Sequence, residues 1–195
     1  MRPPRRARGY TLIELVVTIL IIGVLTSISV PQYMKTVETG KADDAVALTN
    51  MIGTTNKMFA LDHNNVYVGG VFPNTPGALP ASSCAPQCVP GGAADCVSAG
   101  KPGLGPFTNA CYLVCCKYLA DQDWGDKSYA FSACDNNGGG GGAGAGGGVT
   151  TCAAGQVASS KRAASAIGPY NTWGYTMVAA GAISALNVST PPPTF

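Results

Sequence analysis

The chain has 195 residues, and its 12 lysines and arginines against 10 aspartates and glutamates give it a net charge of +2. Beyond residues 1–9 its one basic cluster is Lys161-Arg162, so the sequence does not predict the basic face that binds nucleic acid. It has one histidine, His63, and no G-x-S-x-G, H-E-x-x-H or Walker motif. We therefore do not expect an enzyme, and no cofactor is predicted.

An apolar run extends from Tyr10 to Val30. As a helix it would be about 31 Å long, enough to cross the hydrocarbon core of a membrane. The preceding residues include Arg2, Arg5, Arg6 and Arg8 and no acidic residue. By the positive-inside rule this predicts a cytoplasmic N-terminus and export of the remaining chain. One carboxylate, Glu14, lies inside the run, and a charge at that depth usually has a functional partner.

Three interpretations of this N-terminus compete. An ordinary signal peptide, cleaved near Ser27-Ile28-Ser29, does not account for Glu14 in its apolar region. A plain signal anchor gives Glu14 no role. The third interpretation explains more residues. An arginine-rich leader followed by Gly9-Tyr-Thr-Leu-Ile-Glu14 and an apolar helix resembles the class III prepilin signal of type IV pilins and type II secretion pseudopilins.

The resemblance implies a role for each matching residue. Gly9 would precede the cut made by prepilin peptidase, so that residues 1–9 are a leader peptide. Tyr10, where the family usually has phenylalanine, would become an N-methylated N-terminus. Pro31 would kink or locally melt the helix, as the corresponding proline does in many members. Loss of the four leader arginines would leave 8 basic and 10 acidic side chains, a net charge of −2.

The resemblance also gives Glu14 a partner. It implies that this carboxylate pairs with the α-amino group of Tyr10 on a neighbouring subunit and sets the axial register of a filament. The alternative is that Glu14 reaches the lipid headgroups from its own helix. The implied partners are further copies of the chain, minor pilins, prepilin peptidase, an inner-membrane assembly platform, and the membrane itself before assembly.

A second helical pattern follows Pro31. Its stripe consists of Val37, Lys41, Ala45, Leu48, Ile52, Thr55 and Phe59. We expect one helix from Tyr10 to about Leu61, with a transmembrane first half (10–31) and an amphipathic second half (32–65). It should end near Asp62–Asn65, where asparagine can adopt the left-handed cap conformation. His63, near that end, is interpreted as a cap or surface residue rather than a ligand.

Residues 66–195 should form a small globular domain that contains all the cysteines. These are Cys84, Cys88, Cys96, Cys111, Cys115, Cys116, Cys134 and Cys152. An even number of cysteines in an exported domain predicts disulfides, whose pairing the sequence leaves open. Zinc is the alternative, but C-x-x-C spacing is missing.

Several segments of this domain have their own signals. Residues 106–119 are an apolar island that could be a helix or a strand, with Leu113 and Tyr112 in the core. Residues 127–134 alternate as a strand with Tyr129 and Phe131 on one face. Residues 173–189 read as two strands around 179–181, with the candidate core residues Tyr175, Met177, Ile183 and Leu186.

Two loops complete the domain. Asp121, Asp123 and Asp126 form an acidic turn, which is either a solvated turn or a weak calcium site, because the spacing of an EF-hand is missing. Residues 138–148 are predicted to be a flexible, glycine-rich surface loop that does not pack on the core.

The predicted fold is α+β, of the pilin type: a long N-terminal helix packed on a small antiparallel sheet with disulfide-tied loops. Two functions follow from the resemblance. The sequence favours a structural subunit of an extracellular type IV pilus for adhesion, motility or DNA uptake, because of its variable, cysteine-rich loops. The alternative is a pseudopilin of a type II secretion pseudopilus. The subunit would span the inner membrane before assembly, and afterwards lie in the extracellular pilus or the periplasmic pseudopilus.

Overall fold

The computed structural model describes residues 10–72, 109–120, 122–143 and 148–193. The chain divides into two compact units, Met1–Thr39 and Gly40–Phe195. The elements in chain order are α1 (Leu12–Asp62), β1 (Gly70–Val71), α2 (Cys111–Cys115), β2 (Tyr129–Ala133), β3 (Gly142–Ala143), β4 (Val149–Thr150), β5 (Gln156–Arg162), a 3₁₀ turn (Tyr170–Thr172), β6 (Gly174–Val178) and β7 (Ile183–Ala185). The predicted α+β, pilin-type architecture is confirmed.

Helix α1 has nearly the predicted bounds. It is continuous from Leu12 to Asp62 and includes Pro31. The helix ends where Asn64 and Asn65 adopt positive φ angles of 54° and 64°, so the predicted asparagine cap is confirmed. Pro31 cannot donate a backbone hydrogen bond inside the helix, and the kink at this residue stays a prediction.

The strands form an antiparallel five-stranded sheet of order β1-β2-β5-β6-β7 and a separate β3-β4 pair in the described part of the chain. The predicted strand at 127–134 is β2, and all five of its residues are buried. The two strands predicted around 179–181 are β6 and β7, and Gly181 between them has a φ of 97°. The apolar island contains the short helix α2, with Leu113 fully buried and Tyr112 half-buried.

The buried face of α1 contains polar residues that the predicted stripe left out. One line on this face recurs at spacings of three and four and continues to His63 just after the helix; its members are Ala42, Ala45, Thr49, Ile52, Asn56 and Phe59. The sequence placed Val37, Lys41 and Thr55 on this face, but Val37 is exposed and the other two are half-buried. The prediction followed apolar side chains and therefore missed the buried polar residues between them.

Asn56 joins α1 to three segments of backbone. Its Nδ2 donates to the carbonyl oxygens of Val68 (3.0 Å), Cys134 (3.0 Å) and Val157 (2.9 Å). Its Oδ1 accepts from the N–H of Val68 at 2.9 Å. The side chain is fully buried. A buried amide with these bonds is satisfied, and it fixes the helix against the entry to β1, the end of β2 and the start of β5.

His63 is buried, so the surface interpretation of this residue is wrong. Its ring stacks on Phe59 with centroids 3.8 Å apart, and its Nδ1 lies 2.8 Å from the Phe59 carbonyl oxygen. Tyr118 meets Phe59 edge-on and donates its hydroxyl to Oδ2 of Asp62 at 2.6 Å. Burial, followed by the nearby Asp62 carboxylate, raises the pKa of Tyr118 to about 12. The helix end is thus tied to the segment that follows α2.

The described part of the glycine-rich segment packs closely, in contrast to the predicted free surface loop. Gly142–Ala143 pairs with β4, and Gly148 is buried. A Cβ at Gly140 would collide with the Ala133 carbonyl oxygen and lie 2.6 Å from the backbone nitrogen of Gly70. Gly140 also has a φ of 105°. The high glycine content of this segment predicted a flexible loop. In the structure, the missing side chains instead allow backbone segments to lie in close contact.

Disulfides tie this domain together, as predicted. Cys134, at the end of β2, bonds to Cys152, between β4 and β5, with Cα atoms 5.6 Å apart. Cys111 and Cys116 are also disulfide-bonded. No cysteine is free among those whose side chains the structure describes, and the side chain of Cys115 is not among them. Cys84, Cys88 and Cys96 lie outside the described residues.

Candidate processing and assembly site

The predicted site lies at the start of α1, where the backbone is capped by a side chain. Thr11 immediately precedes the helix, and its Oγ1 accepts a hydrogen bond from the N–H of Glu14 at 3.3 Å. Thr11-Leu-Ile-Glu14 is therefore a Thr-x-x-Glu capping-box sequence, in which the threonine satisfies one of the unpaired amides of the first turn. Thr11 was not among the predicted site residues, although a Thr-x-x-Glu pattern before an apolar run indicates such a cap.

Glu14 lies in the first turn of α1, where the positive end of the helix dipole favours a carboxylate. It is exposed, as is Tyr10, which is 82% accessible. Glu14 is the one acidic or basic side chain from Tyr10 to Val30. The chain itself therefore presents a carboxylate and, four residues earlier, the residue that would carry the new amino terminus.

The first part of α1 offers a continuous apolar surface. Every residue from 10 to 37 is exposed. An 18-residue window of α1 has a mean hydropathy of 2.4, so the helix is long and apolar enough to cross a membrane by length and composition. An exposed apolar surface of this size requires another covering, either lipid or further protein.

Three hydroxyl groups in this segment donate to carbonyl oxygens of their own helix. Thr18 Oγ1 donates to the Leu15 carbonyl oxygen at 2.8 Å. Thr26 Oγ1 and Ser27 Oγ make similar bonds to carbonyl oxygens three or four residues earlier. These bonds allow hydroxyls in an apolar environment without an external partner. Glu14 is the charged side chain between Tyr10 and Val30, and burying its charge in lipid costs free energy unless a partner offsets it.

The remaining predicted site residues are not brought together. Gly9 and Asp121 lie outside the described residues. Asp123 and Asp126 are exposed, and Asp123 Oδ1 accepts from the N–H of Gly125 at 3.0 Å, as in a solvated turn. No group of three or more histidine, cysteine or acidic residues in the described segments is arranged to hold a metal ion. The calcium site stays a prediction without support from a ligand cluster.

The N-terminal part of the chain is similar to known proteins. Residues 4–30 match the family model described as the prokaryotic N-terminal methylation motif. The chain is 35% identical over 88 residues to type II secretion system core protein G of Aeromonas hydrophila, covering 44% of this chain and 56% of that protein. Both matches support the resemblance of this chain to pilins and pseudopilins.

Two further relatives carry the same description. Core protein G of Escherichia coli K12 is 36% identical over 92 residues, or 46% of this chain and 58% of the relative. That of Pectobacterium carotovorum is 36% identical over 87 residues, or 44% and 51%. The chain thus spans a little over half the length of the curated relatives it matches. No solved structure matches. These relatives favour the pseudopilin alternative over the surface-pilus interpretation that the sequence favoured.

Proposed function

We propose that this pilin-family chain is a structural pseudopilin of a type II secretion system. One observation carries the choice between the two filament machines: the relatives are secretion-system core proteins. In this proposal prepilin peptidase cleaves after Gly9 and the new amino group of Tyr10 is methylated. Residues 10–31 hold the subunit in the inner membrane before it joins a periplasmic pseudopilus.

The exposed apolar helix supports assembly through the N-terminus. In the membrane, lipid covers the surface from Tyr10 to Val30, and the Glu14 carboxylate costs free energy. In a bundle of such helices, neighbouring copies cover the same surface. Glu14 then pairs with the positively charged amino terminus of another copy, which offsets the cost of burying either charge alone. The pairing favours the assembled state and one axial offset between helices.

The globular domain would act as the rigid body that each subunit displays on the filament. Asn56 fixes the sheet to α1. The Cys134–Cys152 disulfide ties the segment after β4 to the end of β2. The mechanical role requires no chemistry from side chains, consistent with the expectation of a non-enzyme. The proposed partners are further copies of the chain, minor pseudopilins, prepilin peptidase and the assembly platform.

Deleting the gene tests which machine uses the subunit. We expect folded substrates of the secretion system to accumulate in the periplasm, with export restored by the wild-type gene on a plasmid. Immunoblots of periplasmic and medium fractions provide the measurement. Loss of surface filaments and of surface motility, with normal protein export, would contradict the proposal and favour a type IV pilus.

A further inference from the structure

The two sulfurs of the Cys134–Cys152 disulfide differ in their surroundings. Cys134 is fully buried at the end of β2, whereas Cys152 is half-buried in the segment between β4 and β5. The residues on either side of Cys152, Thr151 and Ala153, are exposed. Access decides which sulfur of a disulfide takes part in thiol exchange. A reagent or a partner protein therefore reaches this bond from the side of Cys152.

Cys134 is held in place by bonds that do not involve its sulfur. Its backbone N–H donates to the Val157 carbonyl oxygen at 3.1 Å, and its carbonyl oxygen accepts from Nδ2 of Asn56 at 3.0 Å. Strand β2, which Cys134 directly follows, pairs with β5 along its whole length from Tyr129 to Ala133. None of these contacts needs the disulfide. The pairing of the sheet and its packing on α1 are therefore enough to position and bury Cys134.

The described polar contacts of Cys152 Sγ are weak. This atom lies 3.8 Å from Ser132 Oγ and 3.9 Å from the Ala133 carbonyl oxygen. Sulfur is a weak hydrogen-bond donor and acceptor. Local opening occurs where few contacts oppose it. Without the disulfide we therefore expect Cys152 to move away from β2, while Cys134 stays buried.

An open cavity of about 420 Å³ lies beside Cys152. Its lining consists of residues 138–142, which are five glycines, and residues 149–152. No charged side chain is among these lining residues, and the glycines add no side chain to the wall. The volume falls within the range of about 300–1,000 Å³ that is typical of ligand pockets. The cavity thus offers an uncharged approach to Cys152 that a short peptide segment can enter.

We propose that the Cys134–Cys152 disulfide forms on the folded unit Gly40–Phe195 by exchange with a protein thiol oxidoreductase, and that Cys152 is the sulfur that reacts with it. The segment around the partner's reactive disulfide enters the glycine-lined cavity. The opposite order would require the partner to reach the buried sulfur of Cys134. The inference does not depend on the choice of filament machine, since either machine requires export of this unit to an oxidising compartment.

The oxidation takes place in two exchange steps. Cys152 loses its proton to water, and its thiolate attacks one sulfur of the partner's disulfide, which forms a mixed disulfide and releases the other partner sulfur as a thiolate. Cys134 then loses its proton to water, and its sulfur attacks Cys152 Sγ. This second attack forms the Cys134–Cys152 bond and releases the partner's first sulfur as a thiolate. The chain loses two electrons and two protons, and the partner's disulfide is reduced to a dithiol.

Glutathione tests the assignment of Cys152 on the unaltered chain. The full-length protein in mild detergent is treated with reduced glutathione, trapped with iodoacetamide and digested, and the modified cysteines are located by mass spectrometry. Attack at Cys152 Sγ leaves glutathione on Cys152 and an alkylated thiol on Cys134. We expect glutathione on Cys152 to exceed that on Cys134 by about tenfold or more, because access controls exchange. Equal amounts, or an excess on Cys134, would overturn the assignment.

Two matched variants test whether the fold itself protects Cys134. Cys134→Ser leaves the thiol of Cys152, and Cys152→Ser leaves the thiol of Cys134. We expect the Cys152 thiol to react with Ellman's reagent about tenfold faster or more in native buffer, and the two thiols to react equally in urea. Equal native rates would overturn the proposal. Loss of the near-ultraviolet circular dichroism of Cys152→Ser would also overturn it, because the sheet would then not bury Cys134 without the disulfide. Neither result changes the pseudopilin proposal, which gene deletion tests.

Discussion

Glu14→Ala is expected to abolish filament formation while leaving insertion into the membrane intact. The substitution removes the one charged side chain from the exposed apolar segment, so insertion becomes easier in free-energy terms. It also removes the partner of the neighbouring amino terminus, which is then buried without compensation on assembly. Losing one member of a buried charged pair costs about 3–5 kcal/mol. Filament yield is measured by shearing and immunoblotting, and insertion by membrane fractionation.

Thr18→Ala provides the control for the Glu14 variant. Its hydroxyl donates to the Leu15 carbonyl oxygen of its own helix, so this group needs no hydrogen-bond partner from another subunit. We expect filaments from Thr18→Ala at the wild-type level. Normal filaments from Glu14→Ala would show that the carboxylate does not set the register. Loss of membrane insertion in that variant would show that it acts before assembly.

Asn56→Ala is expected to lower the free energy of unfolding of the globular unit by about 4 kcal/mol or more. The substitution removes the amide partner of three carbonyl oxygens and of the N–H of Val68. The Val157 oxygen still accepts a hydrogen bond from the N–H of Cys134 at 3.1 Å, so the loss falls on the other three groups. Each unsatisfied buried group costs about 1–3 kcal/mol, and a cavity adds to the loss. Urea denaturation of the mature protein in detergent, followed by near-ultraviolet circular dichroism, measures the change.

Asn50→Ala is the matched control, since Asn50 is an exposed asparagine on the same helix. Its Oδ1 accepts only a long, exposed bond from Thr54 at 3.4 Å. We expect it to change the free energy of unfolding by less than about 0.5 kcal/mol, as surface substitutions usually do. Equal stability of the two variants would contradict the role assigned to Asn56.

The N-terminal half of the fold could be predicted from the sequence because its signals are local. The hydropathy of residues Tyr10 to Val30 indicates a candidate membrane-spanning segment. The helix ends where Asn64 and Asn65 adopt positive φ angles. Strand β2 was predictable from alternation, with Tyr129 and Phe131 both buried as expected. The junction from Gly9 to Glu14 predicted a prepilin-type N-terminus, and residues 4–30 match the N-terminal methylation motif.

The helix face and the glycine-rich segment were not predictable for a common reason. Polar residues such as Asn56 and His63 are expected on the surface, but partners far along the chain accompany their burial. The amide of Asn56 donates to the Cys134 carbonyl oxygen, and the ring of His63 lies edge-on to Tyr118. The glycine-rich sequence around Gly140 predicts a flexible loop. In the structure, the carbonyl oxygen of Ala133 and the backbone of Gly70 lie so close to Gly140 that a side chain would not fit. Periodicity and composition carry no information about such non-local backbone partners.

The residue pattern at the N-terminus could not distinguish a type IV pilus from a type II secretion pseudopilus. Both machines use the same junction, so Gly9 and Glu14 carry no information that separates them. Cysteine-rich loops suggested a surface pilus, whereas the relatives are secretion-system proteins. The disulfides have a sufficient structural reason, because Cys134–Cys152 anchors the glycine-rich segment next to β2. Cross-links of this kind stabilise a small exported domain whatever it is exported for.

The central claim is that the chain is cut after Gly9 and assembles through the new N-terminus. Mass spectrometry of the subunit in purified pseudopili tests it most directly. We expect an N-terminal peptide that begins with N-methylated Tyr10 and contains an unmodified Glu14. A subunit that begins at Met1, or one cut near Val30 by an ordinary signal peptidase, would contradict it.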